Sequence, residues 1–306
     1  MEPDAGLNRD WRAPFLVDLR QALVVHRRGP GDPAFRIDSA GAIWRTSLTP
    51  DGPGTMRVSA RTGVVTASAW GPGASWLLAA LPGQLGAVDD PARFRPVHAR
   101  LRELVRQYPG LRLGRTDRVL EALVPAVLEQ KVVSIEAHRG WRRLLYWFGT
   151  AAPGPAPAGM RVFPAPAVWA AISSWDWHRA GVEPVRARTI LGAAKVARRL
   201  EEAGSLPGGE ADRRLRSLPG IGPWTSAEIR QRACGDPDAI SVGDYHLPAV
   251  VGWTLAGAPA ADDAAMLALL APYAGQRYRA SRLIELGGGR PPRRGPRMAV
   301  RDYRAL

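Results

Sequence analysis

Cysteine, lysine and long apolar runs are what this sequence has least of. One cysteine, Cys234, stands in 306 residues, so the chain closes no internal disulfide and offers neither a multi-cysteine zinc site nor the ligands of a four-cysteine iron-sulfur cluster. A lone thiol of this kind reads as buried and inert. The five histidines, His26, His98, His138, His178 and His246, fall at no metal-ligand spacing, and there are no paired metal-binding carboxylates, no Walker loop and no nucleophile elbow. Nothing reaches the roughly 18 uninterrupted apolar residues of a membrane span, and the opening MEPDAGLNRD has no basic segment leading into an apolar one. A soluble, cytoplasmic protein with no membrane partner is expected.

Acidic residues are also outnumbered. Lys+Arg 42 against Asp+Glu 28 leaves a formal charge of +14, which nominates a polyanion, and nucleic acid first, as partner. Lysine occurs only at 131 and 195, so forty of the basic residues are arginine. A hydrophobic content of 46% is enough for one large core or two smaller ones.

Two patterns divide the chain. Over residues 1–90, Met56, Val58 and Ala60 alternate with more polar residues, and Arg61-Thr62-Gly63 turns into Val64–Trp70 as a hairpin. Ala42–Ser47 and Phe15–Leu19 are further strand candidates, and Ser75–Leu81 reads as a helix stopped by Pro82-Gly83, giving an α+β N-terminal domain. From 91 to 286 the period turns helical. Val97–Tyr108 ends at Pro109-Gly110, and Leu120, Leu123, Val124, Val127, Leu128, Val132 and Ile135 mark one core helix kinked at Pro125. Ala151–Pro166 reads as an exposed loop, after which Val168–Trp177, Pro184–Glu202 and Asp212–Leu218 resume the helical pattern. Residues 287–306 read as a flexible basic tail with arginines at 290, 293, 294, 297, 301 and 304.

The most informative stretch is Leu218-Pro219-Gly220-Ile221-Gly222-Pro223-Trp224-Thr225. Two glycines around one apolar residue allow a tight turn, and Pro223 suits the first turn of a helix running from Trp224 to Cys234 and stopping at Gly235. Such a turn presents backbone N–H groups at a positive dipole end, a site for phosphate that holds a strand without reading its sequence. An ordinary helix-turn-helix connection uses the same residues. Asp244 follows Gly222 by 22 positions, at the entrance of an apolar helix Ala249–Leu255. There an Asp is also a common helix cap.

Together these features resemble the helix-hairpin-helix DNA glycosylases, and most closely the bacterial 3-methyladenine DNA glycosylase II family. The resemblance covers Glu121–Ala137 with Leu128-Glu129-Gln130-Lys131-Val132, Gly181–Ala194, the hairpin through Asp244, and Pro272–Arg277. It implies an α+β domain before a helical helix-hairpin-helix core, Asp244 as catalytic aspartate, and Leu218, Gly220, Ile221, Gly222, Trp224 and Thr225 as the DNA-clamping hairpin. It also implies a sodium or potassium ion at the main-chain carbonyls of Arg216, Leu218 and Ile221, and a monomer acting on duplex DNA that contains damaged bases. Trp224 stands where lyase-competent relatives carry a Schiff-base lysine, so water is the expected nucleophile and the strand stays unnicked. Gln130 and Lys131 fall where relatives place groups that enter the DNA gap or line the base pocket. Glu129 and Lys131 depart there from the smaller or less polar residues of many members.

Alkylated purines carry positive charge and are drawn to aromatic faces, which makes Trp224 and Tyr245 the pocket candidates ahead of Trp175, Trp177 and Trp253. Core packing is the other use for each of these rings. A glycosylase for an oxidised or deaminated base, or a non-catalytic DNA-binding module, are the alternative functions.

Overall fold

A computed structural model describes residues 6–260, 262–292 and 300. Five antiparallel strands open the chain: β1 (Leu7–Arg12), β2 (Phe35–Ile37), β3 (Ile43–Thr49), β4 (Gly52–Arg61) and β5 (Val64–Trp70), in the spatial order β1-β5-β4-β3-β2. The expected hairpin is β4–β5, closed by Thr62-Gly63 with Arg61 opposite Val64. Alternation puts Met56, Val58, Val65, Ala67 and Ala69 on one face. That face is covered by Leu77 and Leu81 of α2 (Ala74–Gln84) and by Leu23 of α1 (Leu19–Leu23).

Two local readings change here. Phe15–Leu19 is not a strand. Asp18 instead accepts the N–H groups of Arg20 and Gln21 and starts α1, while the Phe15 ring lies beneath the Arg112 guanidinium at 3.7 Å. Pro82-Gly83 does not stop α2, which runs on to Gln84.

The helical part begins with α3 (Ala99–Gln107), α4 (Val119–Leu128) and α5 (Ser134–Phe148). The single kinked helix expected across Pro125 is therefore two helices. Pro125 sits inside α4, and the chain breaks only after Leu128, where the Leu128 carbonyl accepts Arg186 Nη1 at 2.8 Å. Lys131 then takes φ 54°, a left-handed conformation that ends any helix. The segment 151–166 is not simply an exposed loop. Its strand β7 (Arg161–Val162) pairs with β6 (Thr150–Ala151), and Met160, Val162 and Phe163 are buried.

Next come α6 (Pro166–Ala171) and α7 (Ser174–Ala180), one helix by periodicity but split where Ser173 caps α7 by accepting the Asp176 N–H at 3.1 Å. α8 (Pro184–Lys195) and α9 (Ala197–Glu201) divide at Val196, which leaves the helical conformation at φ −115° and ψ 21° without a side-chain cap. α10 (Gly208–Arg216), α11 (Pro223–Ile229) with a π-helical extension Arg230–Cys234, α12 (Leu247–Ala256), α13 (Asp263–Leu270) and α14 (Arg277–Gly287) complete the order.

The helices form two apolar clusters. One centres on α4, whose residues are buried apart from half-buried Glu121, with Trp169 stacked on Trp177. The other joins α3 to α12, α13 and α14 through Leu101, Leu104, Val251, Leu270 and Leu283. Sheet and helices meet at Glu121, which accepts Ser47 Oγ at 2.9 Å and the Leu48 N–H at 2.6 Å. The start of the segment expected to be a flexible tail is held: a Cβ on Gly287 would meet Leu104 and Tyr108, and the carbonyl of exposed Gly289 accepts Thr254 Oγ1 at 3.3 Å. Arg290 is described, whereas the tail arginines 293, 294, 297, 301 and 304 lie outside the described residues. Among the described residues no helix is long and apolar enough to cross a membrane.

Candidate active site

α10 ends in a turn closed by two backbone bonds, Leu218 N–H to the Leu215 carbonyl and Ile221 N–H to the Leu218 carbonyl, both at 3.1 Å. Ile221 is 6% exposed and plugs the turn into the core, leaving Pro219, Gly220, Gly222 and Pro223 at the surface. Gly220 has φ 88°, and a Cβ there would overlap the Thr189 hydroxyl of α8. Glycine is therefore required at Gly220 by conformation and by close approach. Gly222 differs: its φ of −92° suits any residue and a Cβ would meet nothing within 4 Å. Nothing in the fold requires glycine there.

The loop after α11 is tied down before it delivers Asp244. Gln231 Nε2 donates to the Ala239 carbonyl at 2.7 Å, Ser241 Oγ donates to Glu228 at 2.6 Å, and Asp238 accepts the Arg277 backbone N–H at 3.0 Å and its Nε at 2.8 Å. The stretch Pro272–Arg277 singled out in the sequence thus anchors the approach to Asp244.

Asp244 Oδ1 accepts the N–H groups of His246 and Leu247, both at 2.8 Å, and Oδ2 accepts Trp224 Nε1 at 3.2 Å. Of the two uses weighed for this residue the cap is seen at the start of α12, and the other carboxylate oxygen faces the hairpin helix. A carboxylate has about four acceptor directions, so three donors leave one for an external group. The indole of Trp224 brings hairpin and carboxylate into one site.

Gln130 reaches the hairpin from the other side. Its Nε2 donates to the Gly220 carbonyl at 2.9 Å and to Thr225 Oγ1 at 2.8 Å, which uses both amide hydrogens. Gln130 is a strut in this structure, and Lys131, one position on, stands exposed at the tip of the turn. Tyr245 is 86% exposed beside Asp244, with its ring edge-to-face against His246 at 4.9 Å. The remaining tryptophan candidates divide. Trp177 is 2% exposed and belongs to the core, Trp253 packs against Gly289, and Trp175 is exposed on α7 over His178.

Cys234 is half-buried rather than fully buried, its thiol donating to the Ala203 carbonyl at 3.7 Å, and desolvation pushes that thiol up to about 12. Among the described residues no group of three His, Cys, Asp or Glu is placed to hold a metal ion. Sequence reasoning missed the role of Glu129, which turns inward to Arg28 Nη1 at 3.4 Å and His138 Nε2 at 3.5 Å. Burial alone would raise its carboxyl, but the Arg28 guanidinium, with His138 and Arg232, holds it down to about 2. Arg28 and Glu129 are 101 positions apart, so no local signal announces the pair.

No family model matches the chain. It is 35% identical over 151 residues to the Mycobacterium tuberculosis protein named "Probable bifunctional transcriptional activator/DNA repair enzyme AlkA", a match over 48% of this chain and 29% of that protein. The chain therefore spans about a third of the length of that curated relative. Among solved structures, the 3-methyladenine DNA glycosylase of Archaeoglobus fulgidus aligns over 90% of this chain and 97% of its own with a TM-score of 0.76 and 17% identity. The 8-oxoguanine glycosylase/lyase of Clostridium acetobutylicum, in complex with duplex DNA containing cytosine opposite 8-oxoguanine, aligns over 93% and 97% with a TM-score of 0.70 and 13% identity. The fold is that of the helix-hairpin-helix DNA glycosylases, with the antiparallel sheet ahead of the helical core.

Proposed function

We propose that the chain is a DNA glycosylase that extrudes a damaged base, an alkylated purine in our reading, and removes it by hydrolysis without nicking the strand. The observation that carries this is the hydrogen bond from Trp224 to Asp244, which joins a surface Gly-x-Gly hairpin to a capped carboxylate.

The exposed backbone at Gly220 and Gly222 would take a phosphate of the duplex without reading its sequence. The carbonyls of Arg216, Leu218 and Ile221 would hold the monovalent ion. They lie in one turn, and the Leu218 oxygen, having accepted the Ile221 N–H, keeps a second lone pair. Such an ion would add positive charge beside the phosphate.

Extruding a nucleotide costs about a few kcal/mol, and least when the base is damaged or mispaired, so selection begins before the chemistry. Cleavage of the glycosidic bond builds positive charge on the deoxyribose. Asp244 would stabilise that charge through the acceptor direction left open by its three donors, and would orient the attacking water. Nothing in the hairpin can form a Schiff base with the sugar, because Trp224 occupies the position and neither lysine lies in the turn. The faces of Trp224 and Tyr245 would draw a cationic purine by about 0.5–2 kcal/mol per contact.

Release of free methylated purine from an alkylated duplex tests this, with oxidised and uracil-containing duplexes as comparisons. Asp244→Asn is expected to abolish release while keeping affinity for a duplex bearing an abasic-site analogue. Equal release by both proteins would refute the catalytic assignment, and release only from the oxidised or uracil duplex would replace the lesion class.

A further inference from the structure

The turn that carries Gln130 and Lys131 is held from outside the helical core. We propose that Arg28, in the segment between α1 and β2, is a positioning residue that fixes the turn 129–133 through its ion pair with Glu129. This rests on the reading of that turn as part of the DNA-binding site.

Three anchors act on consecutive residues. The Leu128 carbonyl is taken by Arg186, the Glu129 carboxylate by Arg28 and His138, and the Gln130 amide by the hairpin. Between them they hold Lys131 at φ 54°, a conformation that a residue with a Cβ keeps only where its surroundings over-determine it. Of the groups that hold these residues, Arg28 alone comes from the sheet-bearing part of the chain, His138 lying on α5. Arg28 has little freedom to do anything else. Its side chain is 8% exposed, its backbone N–H donates to Asp32 Oδ2 at 2.7 Å, and Asp32 Oδ1 in turn accepts Trp141 Nε1 at 2.8 Å. These bonds fix the Arg28 backbone, and burial confines its side chain, so the guanidinium meets Glu129 from a set position, unlike a surface pair whose partners swing apart. The segment between α1 and β2 thereby contributes to the site although no strand of the sheet reaches Asp244, Trp224 or the hairpin in the contacts described above.

The test uses the whole chain with Arg28→Met, Glu129→Gln and the double substitution. Two quantities are read: hydrogen exchange of the amides at 129–133, and affinity at one salt for a duplex with a tetrahydrofuran abasic-site analogue against the same duplex undamaged. Either single substitution is expected to speed exchange in the turn while leaving Leu123 and Val124 of α4 unchanged. It should also weaken binding to the abasic analogue by about tenfold, with undamaged duplex within about twofold. Because Arg28 acts through Glu129, the double variant should lose no more than the worse single one. Unchanged exchange, additive losses, or equal loss on both duplexes would overturn the proposal. Glu129→Gln keeps the size of the side chain and carries the same test should Arg28→Met fail to fold. If the unsubstituted protein does not distinguish the two duplexes, the reading of the site fails, and the exchange data still decide whether Arg28 holds the turn.

Discussion

Replacing Trp224 with Phe separates the two tasks that the indole would perform. The substitution keeps a flat aromatic face and deletes the N–H that donates to Asp244 Oδ2 at 3.2 Å. A hydrogen bond to a charged group contributes about 1.5–3 kcal/mol, and a length at the long end of the normal range selects the lower figure, about tenfold in a rate. The loss is bounded further because the His246 and Leu247 N–H groups still grip Oδ1 at 2.8 Å, so the carboxylate stays in place while Oδ2 loses its orientation. Single-turnover release of methylated purine from an alkylated duplex, over a range of protein concentrations, reads the maximal rate and the half-saturation separately. Trp224→Phe should lower the maximal rate about tenfold and move half-saturation by less than about twofold. Trp224→Ala also removes the face, worth about 0.5–2 kcal/mol toward a cationic base, and should weaken half-saturation as well. A wild-type maximal rate for Trp224→Phe would refute the orienting role, and a change confined to half-saturation would leave the ring as a base contact only.

The two hairpin glycines should fail differently. Gly220→Ala forces a Cβ onto Thr189 at φ 88° and is expected to lower the melting temperature, whereas Gly222→Val, at φ −92° in open space, should leave it unchanged and weaken binding to any duplex about tenfold. Equal melting temperatures with equal affinities would remove the distinction drawn between them. For Glu129 the sign follows from a carboxyl held at about 2 against an ordinary 4.5. The pair's contribution is complete above about pH 4.5 and is lost as the pH falls toward 2, with an upper limit of about 3 kcal/mol. In urea unfolding the stability gap between the wild type and Glu129→Gln should therefore narrow from pH 6 to pH 3, and a gap independent of pH would contradict the ion pair.

How much of this could be read from the chain alone depended on the range of the forces involved. The hairpin at Leu218–Thr225 was legible because glycine and proline impose backbone conformation within a few residues, and β4–β5 because alternation and a two-residue turn are local. β1 was not, since Leu7–Arg12 is an edge strand whose existence depends on pairing with β5, down to Asp10 accepting Thr66 Oγ1 at 2.7 Å. The break between α4 and α5 was hidden because Val132, half-buried against the core, keeps the helical period running through a turn, while Ile135, 53% exposed, fits the same period by coincidence. The distance of Asp244 from the hairpin singled it out as a candidate, but the indole bond that joins them was not legible, and the inward turn of Glu129 needed a partner from a distant part of the chain.

The two N–H groups at the start of α12 are satisfied by the oxygen of Asp244 itself rather than by a separate capping side chain. A chain that drifted away from aspartate at this position would therefore meet a folding penalty before any question of activity arose, typically about 1 kcal/mol for a lost helix cap. Asparagine could still serve the cap with its carbonyl oxygen, but it would set an amide N–H against the Trp224 indole N–H. The helix thus calls for an acceptor at this position and the ring for a carboxylate, so its loss in a related chain should be accompanied by change at Trp224 as well.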